Sequence, residues 1–558
     1  MPVHSLAFGV PRDQPPDYTL PGMDDPTLLE NQGNEDINLC SICHYPLAGH
    51  PGGEPDLPDM LEVIGKSQYH RWCIAGWAAN NTTDPLTRLK IEKKERAALL
   101  QFRPPLARPP SPPTPPPSPN ELLSAASRYG NLFRVRELLA APGIDVNNAD
   151  NNRGFTALIL ASVYGHTDIV QLLLAVPGID VNHTDNDGGF TALMDASING
   201  YTVIVRLLLA VPGIDVNLAN DTGVTPLMWA IRFGRTAIVR MLVDAPAIDV
   251  NQADEDGNTA LLDANDKGQT AIFQMLLDAP RINVNLANDT GVTTLMLAVQ
   301  KEYTAIVHML LDVPEIDVNH ANKDGFTALM FAIQKENTAI VQMLLDVPGI
   351  NVNQENVTGR TALVIASSQG NAAIVQMLLD VPGINVNQAH FEGFTALMFA
   401  IQNGHTAIVQ MLLDVPGINV NQENVADRTA LIMASRSRHS ANTAIVKLLL
   451  DVPGIDVNHT DNDSNTALMW ASVHGHTNIV RLLLSAPQID VNKGDSDGTT
   501  PLMYASSDGS TDIVRLLLAA PGIDVNHVNS YGGWTALRAA QANNHTVIER
   551  LLRNAGAL

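Results

Sequence analysis

Residues 395–428 read TALMFAIQNGHTAIVQMLLDVPGINVNQENVADR, and close copies of this segment fill most of the chain. Each copy begins with a threonine followed by Ala-Leu or a similar pair, and these residues are Thr156, Thr191, Thr225, Thr259, Thr293, Thr327, Thr361, Thr395, Thr429, Thr466, Thr500 and Thr535. Eight of the eleven intervals between them are 34 residues long, and the other three are 35, 37 and 35. This period predicts a solenoid, in which each unit buries its apolar residues against its neighbours.

The quoted segment predicts two helices and a loop. Thr395 is placed to cap a first helix, TALMFAIQN, which stops at Gly404. The second helix is HTAIVQMLLDV, and its apolar stripe consists of Ile408, Val409, Met411, Leu412 and Leu413. The INVN residues and the polar run after them are expected to form a loop or short hairpin before the next threonine.

The TALMFAI, GH, IVQMLL and GINVN elements resemble the ankyrin repeat. The resemblance extends over about residues 120–558 and implies a mostly α-helical solenoid of about thirteen units. Residues 121–155 resemble an N-terminal capping unit, and the last helix, TVIERLLRN, has the charged face that a terminal cap requires. Because such arrays bind proteins, the resemblance implies that residues 120–558 hold a substrate protein.

By analogy with this family, the residue before each threonine and the two residues before each hairpin turn contact the bound protein. The substrate-binding residues predicted in this way are Phe155, Tyr164, Phe190, Ile198, Arg232, Phe233, Phe326 and Phe394, together with Val163 and Trp534. Exposed aromatic residues in proximity suggest a recognition patch, especially over 155–233. The alternative is that several of these side chains pack under the hairpin of the adjacent unit.

Two further sets of polar residues recur within the units. Asp195 and Asp263 occupy a helix position that other units fill with Leu, Phe or Trp, so they are either partly exposed or points of local weakness. His166, His405 and His476 each follow a glycine and start a second helix, which favours a structural turn residue over a metal ligand. The array contains no motif of the kind that catalysis requires.

The composition limits the possible partners and locations. The 558 residues carry a net charge of −24, which opposes binding to nucleic acid or anionic lipid. No apolar run approaches 18 residues, and the N-terminus lacks a basic segment followed by an apolar one. We therefore expect no membrane insertion and a cytoplasmic location, with the nucleus as the alternative.

All three cysteines lie before residue 74. Cys40-x2-Cys43 and His70-x2-Cys73 form two ligand pairs separated by 26 residues, the donor set of one tetrahedral zinc ion. A domain of about 60 residues has a small core that such an ion would stabilise. The alternatives are buried thiols or a redox-active CxxC motif.

Residues 37–100 resemble both the RING finger and the U-box. The order C-x-I-C, YH-x2-C-I-x2-W and T-x-P-x2-R is similar to a RING finger, while NNTTDPLTRLKI is similar to the metal-free U-box. A RING finger holds a second zinc ion, but the matching positions here are Gly65, Ser67, Asp84 and Thr87. The resemblance therefore implies a small α+β hybrid domain with a single zinc ion.

These families bind a ubiquitin-charged conjugating enzyme. Carried over by motif position, Ile42, Trp77 and Pro85 would contact the conjugating enzyme, and Arg88 would bridge to ubiquitin. The resemblance thus implies a ubiquitin-protein ligase whose ankyrin array selects the substrate protein. The alternative is a non-enzymatic ankyrin-repeat adaptor with a structural or degenerate zinc domain.

The expected domain order completes this prediction. Residues 1–36 are expected to be an acidic, disordered segment, and residues 37–100 the zinc domain. Residues 101–119 form a proline-rich linker that would act as a semi-rigid spacer, with a role as a PxxP ligand as the alternative. The repeat array then occupies residues 120–558.

Overall fold

The computed structural model describes residues 61–64, 67–70, 117–439, 442–530 and 532–558. The chain divides into two units, Met1–Pro116 and Pro117–Leu558. In the first unit, strands β1 (Leu61–Ile64) and β2 (Ser67–His70) pair antiparallel, with Leu61 opposite His70. The predicted ligand His70 is thus the last residue of β2.

Most predictions for the first unit fall outside these ranges. They concern residues 1–36, predicted to be disordered, most of the predicted zinc domain 37–100 and most of the predicted linker 101–119. The predicted site residues that lie outside the described residues are Cys40, Ile42, Cys43, Cys73, Trp77, Pro85 and Arg88.

Residues 117–558 consist of helix pairs, and the part that the structure describes contains thirteen of them. We number the pairs as units 1 to 13, so that units 2 to 13 begin at the twelve threonines. The first helices are α1 (Pro119–Arg128), α3 (Ala157–Val163), α5 (Ala192–Asn199), α7 (Pro226–Arg232), α9 (Ala260–Asp266), α11 (Thr294–Gln300), α13 (Ala328–Gln334), α15 (Ala362–Gln369), α17 (Ala396–Gln402), α19 (Ala430–Arg436), α21 (Ala467–Val473), α23 (Pro501–Asp508) and α25 (Ala536–Ala542). The second helices are α2 (Leu132–Leu139), α4 (Thr167–Leu174), α6 (Thr202–Leu209), α8 (Thr236–Val243), α10 (Thr270–Leu277), α12 (Thr304–Leu311), α14 (Thr338–Leu345), α16 (Ala372–Leu379), α18 (Thr406–Leu413), α20 (Asn442–Leu450), α22 (Thr477–Leu484), α24 (Thr511–Leu518) and α26 (Thr546–Asn554).

The threonines cap the first helices as predicted in most units. The Thr395 hydroxyl accepts a hydrogen bond from the backbone N–H of Met398, which satisfies a donor that the helix leaves free. Thr429 and Thr500 stand at the same position without this bond. In unit 1 the cap is Ser118, and Pro119 is the first helical residue, so the array begins inside the predicted linker.

The second helices begin one residue later than predicted, because the residue after the glycine is the cap. Gly404 adopts a φ of 75°, and His405 precedes α18. His166 and His476 hold the same position, which confirms them as turn residues. The Nε2 atom of His166 lies 3.0 Å from the carbonyl oxygen of Arg128, so this histidine also ties its unit to the preceding one.

The apolar stripe divides into a buried line and a half-buried margin. Ile408, Val409 and Leu412 are at most 1% exposed, whereas Met411 and Leu413 only border the core. First helices pack on the first helices of adjacent units, and second helices pack on second helices. A single core therefore runs through residues 117–558.

An asparagine ladder joins consecutive loops along this core. Asn353 lies in the loop between units 7 and 8. Its Oδ1 accepts a hydrogen bond from the N–H of Asn385 at 2.8 Å, and its Nδ2 donates one to the carbonyl of Gly383 at 2.8 Å. The last asparagine of each D/N-V-N segment repeats both bonds. These ladder residues are Asn147, Asn182, Asn217, Asn251, Asn285, Asn319, Asn353, Asn387, Asn421, Asn458, Asn492 and Asn526.

The two end units carry charge where inner units bury an apolar pair, which is Ile-Val except in unit 5, where it is Ile272 and Phe273. The pair is Ile513 and Val514 in α24, and both are fully buried. In α2 the first position is Arg134, which is exposed and pairs with Glu137, and in α26 the second position is Glu549. Both end helix pairs thus carry a charged residue of the kind expected of a terminal cap.

None of the helices in the described ranges has the length and apolar character needed to cross a bilayer.

Candidate functional site

The partly exposed side of the first helices forms one continuous surface, which we call the first-helix face. It contains the residue before each capping threonine and the fourth, seventh and eighth residues after it. All ten predicted substrate-binding positions fall on this face. The most exposed of them are Phe233 at 45%, Trp534 at 42% and Tyr164 at 41%, while the others are partly buried.

Three of the predicted residues meet around a tryptophan in units 3 and 4. The ring centroid of Trp229 lies 5.4 Å from that of Phe190 and 6.0 Å from that of Phe233. The guanidinium carbon of Arg232 lies 5.7 Å from the centre of the same indole ring. We call Phe190, Trp229, Arg232 and Phe233 the Trp229 cluster, an arrangement typical of protein recognition surfaces.

Arg232 is also the centre of an ion-pair group between units 4 and 5. Its Nη2 lies 2.6 Å from Asp254 Oδ2, and its Nε lies 2.7 Å from Asp263 Oδ2. Burial raises the pKa of Asp263 to about 6 although Arg232 lowers it, and the two carboxylates raise the pKa of Arg232. Asp263 is thus a buried charge whose desolvation Arg232 offsets in part.

Asp195 occupies the same helix position in unit 3 without such a partner. The residue that corresponds to Arg232 is Val163, which carries no charge. Oδ2 of Asp195 is buried and receives no hydrogen bond from the described residues. Burial raises the pKa of this carboxyl well above its usual range, and the nearby Asp185 raises it further. Asp195 is therefore a point of local weakness.

Tyr164 and its neighbours form a smaller group in units 1 to 3. Arg128 Nε donates to the Tyr164 hydroxyl at 3.2 Å, and its guanidinium lies over the ring at 5.6 Å. Phe155 packs against the core, as the alternative prediction expected of some of these residues. The backbone carbonyl of Ile198 accepts a hydrogen bond from Arg235 Nε at 2.9 Å, which holds units 3 and 4 together.

The remaining predicted phenylalanines pair with aromatic residues from their own units. Phe326 lies 5.4 Å from Phe331 between ring centroids, and Phe394 lies 5.5 Å from Phe399. Both Phe326 and Phe394 border the core and keep only part of their surface exposed. Each of these two phenylalanines therefore contributes both to the core and to the exposed surface of the first-helix face.

Sequence reasoning missed one row of the first-helix face. Trp229, Phe331, Phe399 and Trp470 all stand four residues after a capping threonine, and each contacts an aromatic or cationic group on the face. The signal was present in the sequence, because bulky apolar residues recur at a position that lies at the edge of the helix stripe. The predicted zinc and conjugating-enzyme contacts lie outside the described residues, apart from the backbone of His70.

Comparison with known families gives one result over this region. A family model that represents three consecutive ankyrin repeats matches six overlapping stretches of the chain. They are residues 122–220, 208–288, 280–356, 348–424, 419–495 and 488–557. No curated protein matches the chain significantly.

Proposed function

The chain belongs to the ankyrin repeat family, and we propose that its first-helix face binds a partner protein through the Trp229 cluster and the neighbouring Tyr164. The observation that carries this proposal is Phe233, which leaves 45% of its surface exposed while it packs on Trp229. An aromatic side chain that is already fixed by packing loses little conformational freedom on binding.

Substitution of the two most exposed aromatic residues of this region tests the proposal. Phe233→Ala together with Tyr164→Ala should remove specific partner proteins from those that the full chain captures in a cell extract, as measured by quantitative mass spectrometry. The control is Phe133→Ala, since Phe133 is 73% exposed on α2, outside the first-helix face. Equal capture of partner proteins by the unaltered chain, the double variant and the Phe133→Ala control would refute binding at this surface.

The finer proposal is that the bound protein is a substrate for ubiquitin transfer. It is supported by the sequence of residues 37–100, in which Cys40, Cys43, His70 and Cys73 form a donor set that suits zinc. One zinc ion would organise this domain, and Ile42, Trp77 and Pro85 would contact the conjugating enzyme. Arg88 would bridge to ubiquitin, and lysines of the bound substrate would accept it.

Chain formation by the full-length protein with a panel of conjugating enzymes tests this step. Ubiquitin chains should form with at least one enzyme, and Ile42→Ala or Arg88→Ala should reduce them. The purified protein should contain one zinc ion per chain by atomic absorption. If no enzyme supports chain formation while partner capture persists, the protein is a non-enzymatic adaptor.

A further inference from the structure

A groove of about 420 Å³ opens on the first-helix face where units 9, 10 and 11 meet. Its basic side consists of Arg428, Arg436 and Arg438, and its apolar side includes Phe394 and Met433. We call this site the arginine groove. It is separated in sequence from the Trp229 cluster by about 200 residues.

The groove exists because unit 10 is longer than the other units. The interval from Thr429 to Thr466 is 37 residues, and the three additional residues lie between α19 and α20. Helix α19 ends at Ser437 in an extended conformation instead of at the usual glycine turn. The longer connection carries Arg438 to the rim of the groove, where the 34-residue units have no counterpart.

The groove is basic in a strongly acidic chain. Residues 428–450 contain four lysines and arginines and no aspartate or glutamate, whereas the whole chain has 58 acidic residues and 34 basic ones. Arg428 lies 3.5 Å from Asp461, a carboxylate that also accepts a hydrogen bond from the Trp470 indole. Within the described residues, Arg436 and Arg438 form no ion pair.

Two of these guanidinium groups converge on one ring. The guanidinium carbon of Arg436 lies 4.8 Å from the centre of the Trp470 indole, and that of Arg428 lies 5.9 Å from it. Burial and the positive charge of Arg428 both lower the pKa of Arg436. Two cations held on one aromatic ring present planar donors in a fixed orientation, and carboxylates bind such donors in pairs.

The same arrangement recurs two units earlier on the face. Arg360 stands before the threonine of unit 8, and its guanidinium carbon lies 5.2 Å from the centre of the Phe399 ring in unit 9. Arg428 stands before the threonine of unit 10 and lies over Trp470 of unit 11, so the two pairs are equivalent. With about 10 Å between adjacent units, they are separated by about 20 Å, the length of about six residues of extended chain.

We propose that the arginine groove and Arg360 bind an extended segment of a partner protein that carries carboxylates about six residues apart, with an apolar side chain between them on Phe394. The proposal rests on the protein-binding function of the array and specifies the class of partner. A row of cations over 20 Å matches separate carboxylates better than a single phosphate group. The net charge of −24 would repel an acidic segment elsewhere, which favours this one position.

Selection from a random twelve-residue peptide library on the full-length protein tests the proposal. The enriched peptides should carry Asp or Glu in two clusters with an apolar residue between them. Their binding should fall at least tenfold in the Arg436→Gln/Arg438→Gln variant and should weaken as salt increases. Both arginines are exposed, and only the contact of Arg436 with Trp470 is lost, so their replacement should lower the melting temperature only slightly.

The matched control is Arg481→Gln, which removes the same charge from the exposed side of α22 in unit 11 and should retain binding. Synthetic copies with Gln in place of Asp and Glu should not bind, and copies with one phosphoserine should bind more weakly than the parent. Enrichment of peptides without acidic residues, stronger binding by the phosphoserine copies, or equal binding by the double variant would overturn the proposal. In that case, partner capture that depends on Phe233 would still support the proposed protein-binding function. If neither the peptide selection nor the capture experiment gave the expected result, the proposed function would be refuted as well.

Discussion

At the scale of single residues, the cost of a charge at a helix position depends on whether the adjacent unit supplies its partner. Asp263 and Asp195 stand at equivalent positions in α9 and α5, yet only Asp263 meets an arginine. A buried carboxylate without a hydrogen bond destabilises the folded state, while a paired one can be retained. Two residues that look alike in the sequence therefore differ in how much their burial costs.

Asp195→Asn should stabilise the array by on the order of 1 kcal/mol at pH 7. Because the folded-state pKa of Asp195 is raised, the ionised carboxylate costs stability above that pKa, and the cost disappears as the pH falls to the unfolded value. The gain in melting temperature should therefore be largest at neutral pH and smallest near pH 4. Asp289→Asn, at an exposed loop residue, should show no such pH-dependent gain.

Arg232→Met should destabilise the array by about 3 kcal/mol, because it leaves two largely buried carboxylates without their cation. Adding Asp263→Leu should recover part of that loss, since leucine fills the equivalent position in α11. Urea unfolding of both variants measures the difference. If Arg232→Met is no more harmful than Arg481→Met on the exposed side of α22, the ion-pair group has no structural role.

At the scale of elements, the asparagine ladder fixes the spacing of the loops. Each ladder residue supplies one acceptor and one donor to the next unit, so one side chain replaces the strand pairing that would otherwise hold the loops. Backbone hydrogen bonds between consecutive loops supplement it, such as the one that the N–H of Asp289 donates to the carbonyl of Asp256 at 2.9 Å.

Asn353→Ala should destabilise its region by about 2 kcal/mol, since each lost hydrogen bond contributes about 1 kcal/mol. The amide proton of Asn385, which donates to Asn353, should exchange faster with solvent, as measured by hydrogen exchange. The neighbouring change Gln354→Ala is the control, because the Gln354 side chain forms no hydrogen bond within the described residues. Equal exchange at Asn385 in both variants would contradict the role of the ladder.

Helix positions were predictable from the sequence because threonine, glycine and an apolar period act within a few residues of each other. The ladder was not predicted, since the D/N-V-N segment gives no sign of which atoms about 30 residues away its asparagine contacts. The same limit applies to Arg232, whose exposure could be expected from its position, whereas its two carboxylate partners lie 22 and 31 residues further along the chain. Features set by residues close together in the sequence could be predicted, whereas contacts between units could be identified only from the structure.

At the scale of the whole molecule, we expect the charged end units to disfavour stacking of the array on copies of itself. Glu549 stands where Val514 is buried in unit 12, and 31% of its side-chain surface is exposed. A valine there would create an apolar surface at the end of the stack.

Glu549→Val should therefore promote concentration-dependent association, seen as a larger sedimentation coefficient. The control is Arg550→Val, which makes a similar apolar substitution on the exposed side of the same helix. If both variants associate equally, general surface hydrophobicity explains the effect, and Glu549 has no special role at the end of the array.

The asparagine ladder has a last consequence for how such a chain can change in length. Its bonds join main-chain atoms that every unit possesses, and they continue unbroken past the 37-residue unit, where Asn421 still bonds to Gly454 and Asp456. Duplication or deletion of a 34-residue stretch of the gene would bring together two loops between which the ladder bonds can form again. Ancestral forms could thus have grown by tandem copying, and single copies such as unit 10 could diverge to acquire new ligands without disturbing the rest.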